Sequence, residues 1–469
     1  MRWKTSLLAV GLALALATPA FARDPVALPI PAHGVPGVED AQLDPAFWIA
    51  RLGADADRVL LDAAQVEAAN ARMHAEDKSV FDLSALPVSV AKAQANEWIA
   101  DLSSRPMRML YDERGNEIPG ATLDGLVADA NLGAVADNTP LRYALVVERA
   151  ALRSFPSYLR AFSSKGDIDI DRFQESAVFP GTPLAIVHES RDGKWAFVVS
   201  PRYRAWIERK HIAEGPRDTV LPFATRTPYR LVTGAKVRTT WTPELPAASD
   251  RSLDMSTRLP LADIAPDALV NGQHPYSAWA VQLPIREGDG TLRLAPALLP
   301  RIEDTQAAPL PLTHANILRQ AFKFLGERYG WGHDYDARDC SGFVSEVYAS
   351  MGVLMPRNTR DQARSPVLHK TVFDDASTRA QRDAAVAALQ VGDLVYIPGH
   401  VMMMIGTIDG QPYVIHDTNG GTMRARDGKL RSLHLNGVSV TPLLPLMFDD
   451  THRYVDRMTS GVRVATRAP

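Results

Sequence analysis

Apolar residues recur at helical spacing near the start of the chain, at Trp48, Leu52, Val59, Leu60, Val66 and Met73, and again across 88–102. Residues three, four and seven apart share one face of a helix, so this spacing predicts short helices that each bury one stripe. Asp62 or Ala63 is expected to open the helix that ends near Met73, and Pro106 closes the region. From about 140 the period shortens. Runs at 143–147, 183–187, 195–199 and 205–207 are separated by turns such as Arg191-Asp192-Gly193, the pattern of a small barrel. A second β-rich stretch has runs at 229–232, 236–240 and 278–283, and 300–312 reads as a linker. The last domain has a helical pattern at 317–325, a second after residue 340 and a third over 376–389. Strands are expected at 394–397, 401–408 and 413–415. Helices first and strands after is an α+β order. Beyond about 452 the sequence is basic without an apolar period and is expected to be loose.

These changes of period divide the chain into a leader (1–22), a helical N-terminal region (23–125), two β-rich domains (126–222 and 223–305), an α+β domain (306–452) and a tail (453–469). The leader has Arg2 and Lys4, an apolar run over 7–17 and an Ala-Phe-Ala end, the pattern of a secretory signal. An exported protein, periplasmic or cell-wall associated, is therefore expected, with no transmembrane segment after cleavage. At 469 residues the chain is too long for one core. Its net charge of −3, without a long basic run, argues against a nucleic-acid partner.

Composition supplies one further fact: the chain has a single cysteine, Cys340. It cannot form an intramolecular disulfide. Phe343, Val344, Val347, Tyr348 and Met351 follow it at helical spacing, which places the sulfur at a helix N-terminus. Unpaired N–H groups and the helix dipole there favour a thiolate. Arg338 and Asp339 before it and Ser341-Gly342 after it are poor company for a core residue. A thiolate nucleophile needs a base and a group that orients the base. His400 begins one predicted strand and His416 ends the next, so an antiparallel hairpin would bring them together. A strict two-residue turn at Asp409-Gly410 would place them on opposite faces of the sheet. The hairpin is therefore expected to centre near Ile408, with a wider loop or a bulge.

Taken in order, Tyr329-Gly330-Trp331-Gly332, Asp339-Cys340-Ser341-Gly342-Phe343, Gly392-Asp393-Leu394, His400-Val401 and Ile415-His416 resemble the NlpC/P60 cysteine peptidases, a papain-like family acting on bacterial cell-wall peptides. The resemblance implies Cys340 as nucleophile, His400 as base, His416 as the orienting residue and Tyr329 near the oxyanion site. Trp331 is left between packing and the cleft wall. The resemblance also implies a substrate contact around Asp339 and Ser341. Residues 47–70 look like the helical N-terminal region of multidomain members. Residues 142–157, with Asp171-Arg172-Phe173-Gln174-Glu175 and Tyr203-Arg204-Ala205-Trp206, look like a bacterial SH3-type domain, and the second β-rich segment is read as another. In such an architecture the first SH3-type domain closes one end of the cleft and helps recognise the free amine of an L-Ala-γ-D-Glu-diamino-acid peptide. Glu175 and Tyr203 are the candidates for that role. Where relatives carry Pro-Arg-Asp-Ser, this chain has Pro356-Arg357-Asn358-Thr359. Asn358 keeps an acceptor and loses the charge, which weakens ammonium recognition.

The expectation is thus a monomeric, exported cysteine endopeptidase that cleaves stem peptides or muropeptides after γ-D-Glu through a Cys-His-His triad. A cell-wall-binding module with an inactive peptidase domain, and another thiol acyl-transfer enzyme such as an amidase or transpeptidase, remain open. With no His-Glu-x-x-His and no cysteine cluster, no metal or other cofactor is expected.

Overall fold

The structure is a computed structural model and describes residues 33–424 and 427–466. The predicted leader lies outside the described residues. The chain divides into two compact units, 1–35 and 36–469, and all the secondary structure described here lies in the second. No helix among the described residues is long and apolar enough to cross a membrane.

Three short helices open the chain: α1 (Pro45–Leu52), α2 (Ala63–Glu76) and α3 (Lys92–Leu102). Asp44 caps α1 by accepting the Ala46 N–H, and Asp62 with Gln65 forms a capping box on α2. These helices do not make a core of their own. Trp48, Leu61, Val66 and Met73 join the core of the C-terminal domain, whereas Ala95 and Ile99 of α3 join the core of the first β-rich domain. Each helix has one narrow apolar stripe, which only a neighbouring layer can cover. The expected helical unit is therefore a strap across two domains. Strand Val59–Leu61 pairs with Leu312–Thr313 and fixes one end of it.

The first β-rich domain is a seven-stranded antiparallel sheet. Its strands are β1 (Arg142–Val146), β2 (Ala150–Arg153), β3 (Gln174–Val178), β4 (Pro183–Glu189), β5 (Trp195–Val199), β6 (Arg204–Glu208) and β7 (Ile212–Gly215), in the order β7-β1-β4-β5-β6-β2-β3. Trp206 is fully buried and its indole N–H donates to Ser103 Oγ, so the polar edge of the ring is satisfied. The second β-rich segment, expected as another barrel, consists of separate ladders. The longest joins β8 (Ala278–Arg286) to β9 (Leu292–Pro300). Its Val281, Leu283 and Leu299 share one core with Phe197 and Trp206 of the first sheet.

In the C-terminal domain, α4 (His314–Phe322) and α5 (Cys340–Ala349) share the core of a six-stranded sheet, and α6 (Thr359–Arg364) follows them. The strands are β10 (His369–Val372), β11 (Leu394–Ile397), β12 (His400–Ile408), β13 (Gln411–Thr418), β14 (Gly437–Pro442) and β15 (Ser460–Arg463). Their order is β10-β15-β11-β12-β13-β14, all antiparallel. The segment after 452, expected to be loose, contributes β15 between β10 and β11. Val455, Met458 and Val462 are buried. Their spacing is uneven because a 3-10 turn (Val455–Arg457) precedes the strand, and this hides the apolar pattern.

Candidate active site

Cys340 is the first residue of α5, and Asp339 is its N-cap. The Asp339 carboxylate accepts the Gly342 N–H at 2.7 Å, so one of the unpaired donors of the helix start is satisfied. Gly342 is required here: a Cβ on it would lie 2.3 Å from His333 Cε1. Arg357 grips the same carboxylate with two nitrogens, at 2.8 and 3.1 Å. It also donates to Ser341 Oγ, Ser176 Oγ and His333 Nδ1. The far nitrogen of His333, Nε2, lies 2.7 Å from Glu346, and Glu346 in turn accepts from Arg338 at 2.6 Å. Arg338 is completely buried and pairs further with Glu327 and with Asp254 of the second β-rich segment. The charged neighbours that suggested an exposed loop are thus inside the protein, each with a partner. Asp339 and Ser341 were expected to touch substrate. They are buried, and their oxygens are taken up by Arg357 and the helix start, so they brace the start of α5 instead.

On the sheet side, β12 and β13 are joined by a tight turn, with Ile408 opposite Gln411 across Asp409-Gly410. A bulge at Ile405 then shifts the register, so that Met404 faces Val414 and Met403 faces Ile415. The one extra residue carries His400 and His416 to the same face. Of the two irregularities expected, the structure has the bulge, and the hairpin centres on Asp409-Gly410 rather than near Ile408. Gly406 allows it, with φ +152° and the Trp48 ring occupying the place of a side chain. His400 Nε2 lies 2.8 Å from His416 Nδ1, and His416 Nε2 lies 3.0 Å from Thr441 Oγ1. His400 Nδ1 is then the ring nitrogen left for the thiol. The Val401 N–H next to it faces the Cys340 sulfur and favours its charged form.

The electrostatics differ from the sequence expectation. The helix start was expected to depress the thiol. Burial and the Asp339 charge push it up to about 12 instead, against the Val401 N–H, which favours the thiolate. Burial lowers His400 to about 4 and, together with His400, holds His416 well below the usual histidine range. The resting pair is accordingly a neutral thiol and a neutral imidazole. Tyr329, beside this loop through the 2.6 Å bond from the Gly330 N–H to Arg338 O, is buried, and burial with the nearby Cys340 and Asp339 keeps its phenol protonated. Asp417 went unnoticed in the sequence. It is fully buried, neither carboxylate oxygen has a hydrogen-bond partner among the described residues, and burial and Asp339 raise it far above the carboxylate range.

Three of the substrate-side candidates come together. The Tyr203 hydroxyl donates to Glu175, which also accepts from Ser154, and Tyr203 lies within hydrogen-bonding reach of Asn358. Asn358 donates to Asp361, and Thr359 begins α6 beside it. Tyr203 and Asn358 line one polar cleft with Arg202 and Asp361. Trp331 opens a 3-10 turn (Trp331–His333) and carries the Arg172 guanidinium 5.6 Å from its ring. Gln174 Nε2 donates to Gly332 O at 2.8 Å, which seats β3 on that turn. Arg357, His333 and Thr441 were not assigned roles from the sequence. Only Arg357 had a local signal, in the Pro-Arg-Asn-Thr segment.

Fold and site together define an α+β domain in which a helix begins with a thiol and the sheet that shares its core carries two hydrogen-bonded imidazoles, joined to a small β domain. Residues 326–437 match the NlpC/P60 family, and residues 156–208 match an SH3 domain of the SH3b1 type, so the chain carries both domains. The dipeptidyl-peptidase 6 of Lysinibacillus sphaericus is 27% identical over 107 residues, which cover 23% of this chain and 33% of that protein. A probable endopeptidase of Corynebacterium glutamicum (strain R) is 32% identical over 122 residues, 25% of this chain and 49% of that protein. The chain thus spans at most about half the length of these curated relatives. The solved NlpC/P60 endopeptidase of Photobacterium damselae subsp. piscicida has the same fold over 88% of this chain and 96% of its own, with a TM-score of 0.68 at 16% identity.

Proposed function

We propose that this protein is an exported peptidoglycan hydrolase, a cysteine endopeptidase that cleaves stem peptides after γ-D-Glu through Cys340, His400 and His416. The observation that carries the reading is the 2.8 Å bond between His400 Nε2 and His416 Nδ1, with Val401 against a sulfur at the first position of a helix.

The chemistry follows from that bond. The mechanism uses the tautomer in which His416 Nε2–H donates to Thr441 and His400 Nε2–H donates to His416 Nδ1, which leaves the lone pair of His400 on Nδ1. As the sulfur attacks the substrate carbonyl, Nδ1 takes the thiol proton. A neutral pair at rest makes this a general-base step. The tetrahedral oxyanion is met by the Cys340 N–H, which as the first in its helix has no intrahelical acceptor, and by the Tyr329 hydroxyl. His400 returns the proton to the leaving amine, and a thioester to Cys340 remains. Water, deprotonated by the same imidazole, then releases the acid and restores the thiol. Glu175 and Tyr203, with Asn358 and Thr359 across the cleft, read the amino end of the stem. Trp331 walls the cleft.

The test is to incubate the protein and its Cys340→Ala variant with defined stem peptides, with and without a free L-Ala amine, and identify the products by mass. A γ-D-glutamyl product formed only by the cysteine form is the expected result. Equal product from both proteins removes the thiol mechanism, and no product from any muropeptide removes the substrate assignment.

A further inference from the structure

Behind the catalytic helix lies a cavity of about 370 Å³ that the peptidase chemistry does not use. Its walls come from the 200–203 turn before β6 and the end of β3, from the 256–258 segment of the second β-rich region, and from Ala349 and 352–355 at and after the end of α5. Much of the lining is apolar, including Val178, Phe179 and Met355. Three arginines line it, Arg202, Arg258 and Arg357, and no aspartate or glutamate does. Arg357 is committed to Asp339. The other two have no carboxylate within ion-pair distance among the described residues.

Arg202 donates to Ser345 Oγ on the catalytic helix at 3.1 Å. The Arg258 guanidinium carbon lies over the Tyr229 ring, 3.4 Å from its centroid, and its buried Nε has no hydrogen-bond partner among the described residues. Thr257 Oγ1, on a side chain only 4% exposed, is equally unpartnered. Arg202 and Arg258 are half-buried without a counter-charge, and the buried donors Arg258 Nε and Thr257 Oγ1 lack acceptors. Such groups are costly, so a fold that gathers them on one cavity is arranged for an anion.

We propose that this cavity is a binding site for a small organic carboxylate, its charged end held by Arg258, Arg202 and Thr257 and its apolar body against Val178, Phe179 and Met355. The volume suits a ligand of that size. Burial lowers both guanidiniums, Arg202 to about 10 with Arg357 contributing, and a bound anion would relieve this. Arg202 and Tyr203 line both this cavity and the polar cleft that holds Asn358, so occupancy is felt next to the groups assigned to the substrate amine.

Calorimetry on the full chain with benzoate and hexanoate, their neutral amides, and inorganic phosphate tests the proposal. The carboxylates are expected to bind with Kd near about 1 mM or tighter. The amides, and the carboxylates on Arg258→Gln, should bind at least about tenfold more weakly, the loss of one charge-assisted contact. Equal affinity of acid and amide, equal affinity of wild type and Arg258→Gln, or no binding at all overturns the site. Phosphate binding as tightly as benzoate overturns the apolar half of it. Should Arg258→Gln fail to fold, hydrogen exchange on the wild type decides. Benzoate must slow exchange in 200–203, 256–258 and 352–355, and unchanged exchange there overturns the proposal.

Discussion

The two sides of the site are built from different materials. The sulfur is held by charges: Asp339, Arg357, Glu346 and Arg338 form a buried chain, with His333 between two of its members, and each ion has a partner. The imidazole is held by neutral groups: His400, His416 and Thr441 in a row. Paired buried ions fix position strongly, and removing one leaves its partner stranded in low dielectric. A neutral row fixes little in space, but it sets which nitrogen carries a proton. The charged side is therefore expected to govern folding of the helix start, and the neutral side to govern proton transfer.

Variants that split stability from turnover sharpen the contrast. His416→Ala removes the group that sets the tautomer of His400, and kcat should fall about 10²- to 10⁴-fold with little change in melting. A large loss of melting temperature in that variant would break the contrast. Arg357→Leu strands the Asp339 carboxylate and should cost about 3–5 kcal/mol in a urea titration. Gly406→Ala tests the bulge between the two sides. Its Cβ would meet the Trp48 ring at 2.7 Å, and overpacking of this kind costs about 1–3 kcal/mol. Thr441→Val removes the last member of the neutral row. It should lower kcat about fivefold, one hydrogen bond's worth, at unchanged KM, and Thr441→Ser should restore it.

The pH dependence separates the sides in one experiment. His400 and His416 are held neutral in the fold, His400 down to about 4 from an ordinary 6.5. Between those values the unfolded chain binds more protons, so stability should rise with pH and be lost as pH falls through that window. The acid limb of kcat/KM should lie near pH 4, where His400 gains its proton. A limb near 6.5 would mean that the imidazole is solvated in the working enzyme.

The sequence carried the elements of this site better than its setting. Cys340, His400 and His416 stood out because a lone thiol at a helix start and histidines at strand ends are local signals. The need for an irregularity between the histidines was legible too, since side-chain parity along a strand is arithmetic. Its location was not: Gly406 accepts the bulge because Trp48, distant in sequence, fills the space beside it. The state of the thiol was misread for a similar reason. The helix start is a local effect, whereas burial depends on Tyr329, Asp417 and the sheet, which only the fold brings together. Asp339 and Ser341 were placed in the substrate path on the resemblance alone. Here Arg357, from a later segment, turns them inward.

The strand at 460–463 has a consequence for the order of events during synthesis. It fills the slot between β10 and β11, so β10 has no other sheet neighbour and the outer edge of β11 stays bare until it arrives. The framework that carries His400 can therefore close only after residue 463 has left the ribosome. Residue 340 is made more than a hundred residues before this strand, so the two sides of the proposed site come together only once the strand has been added.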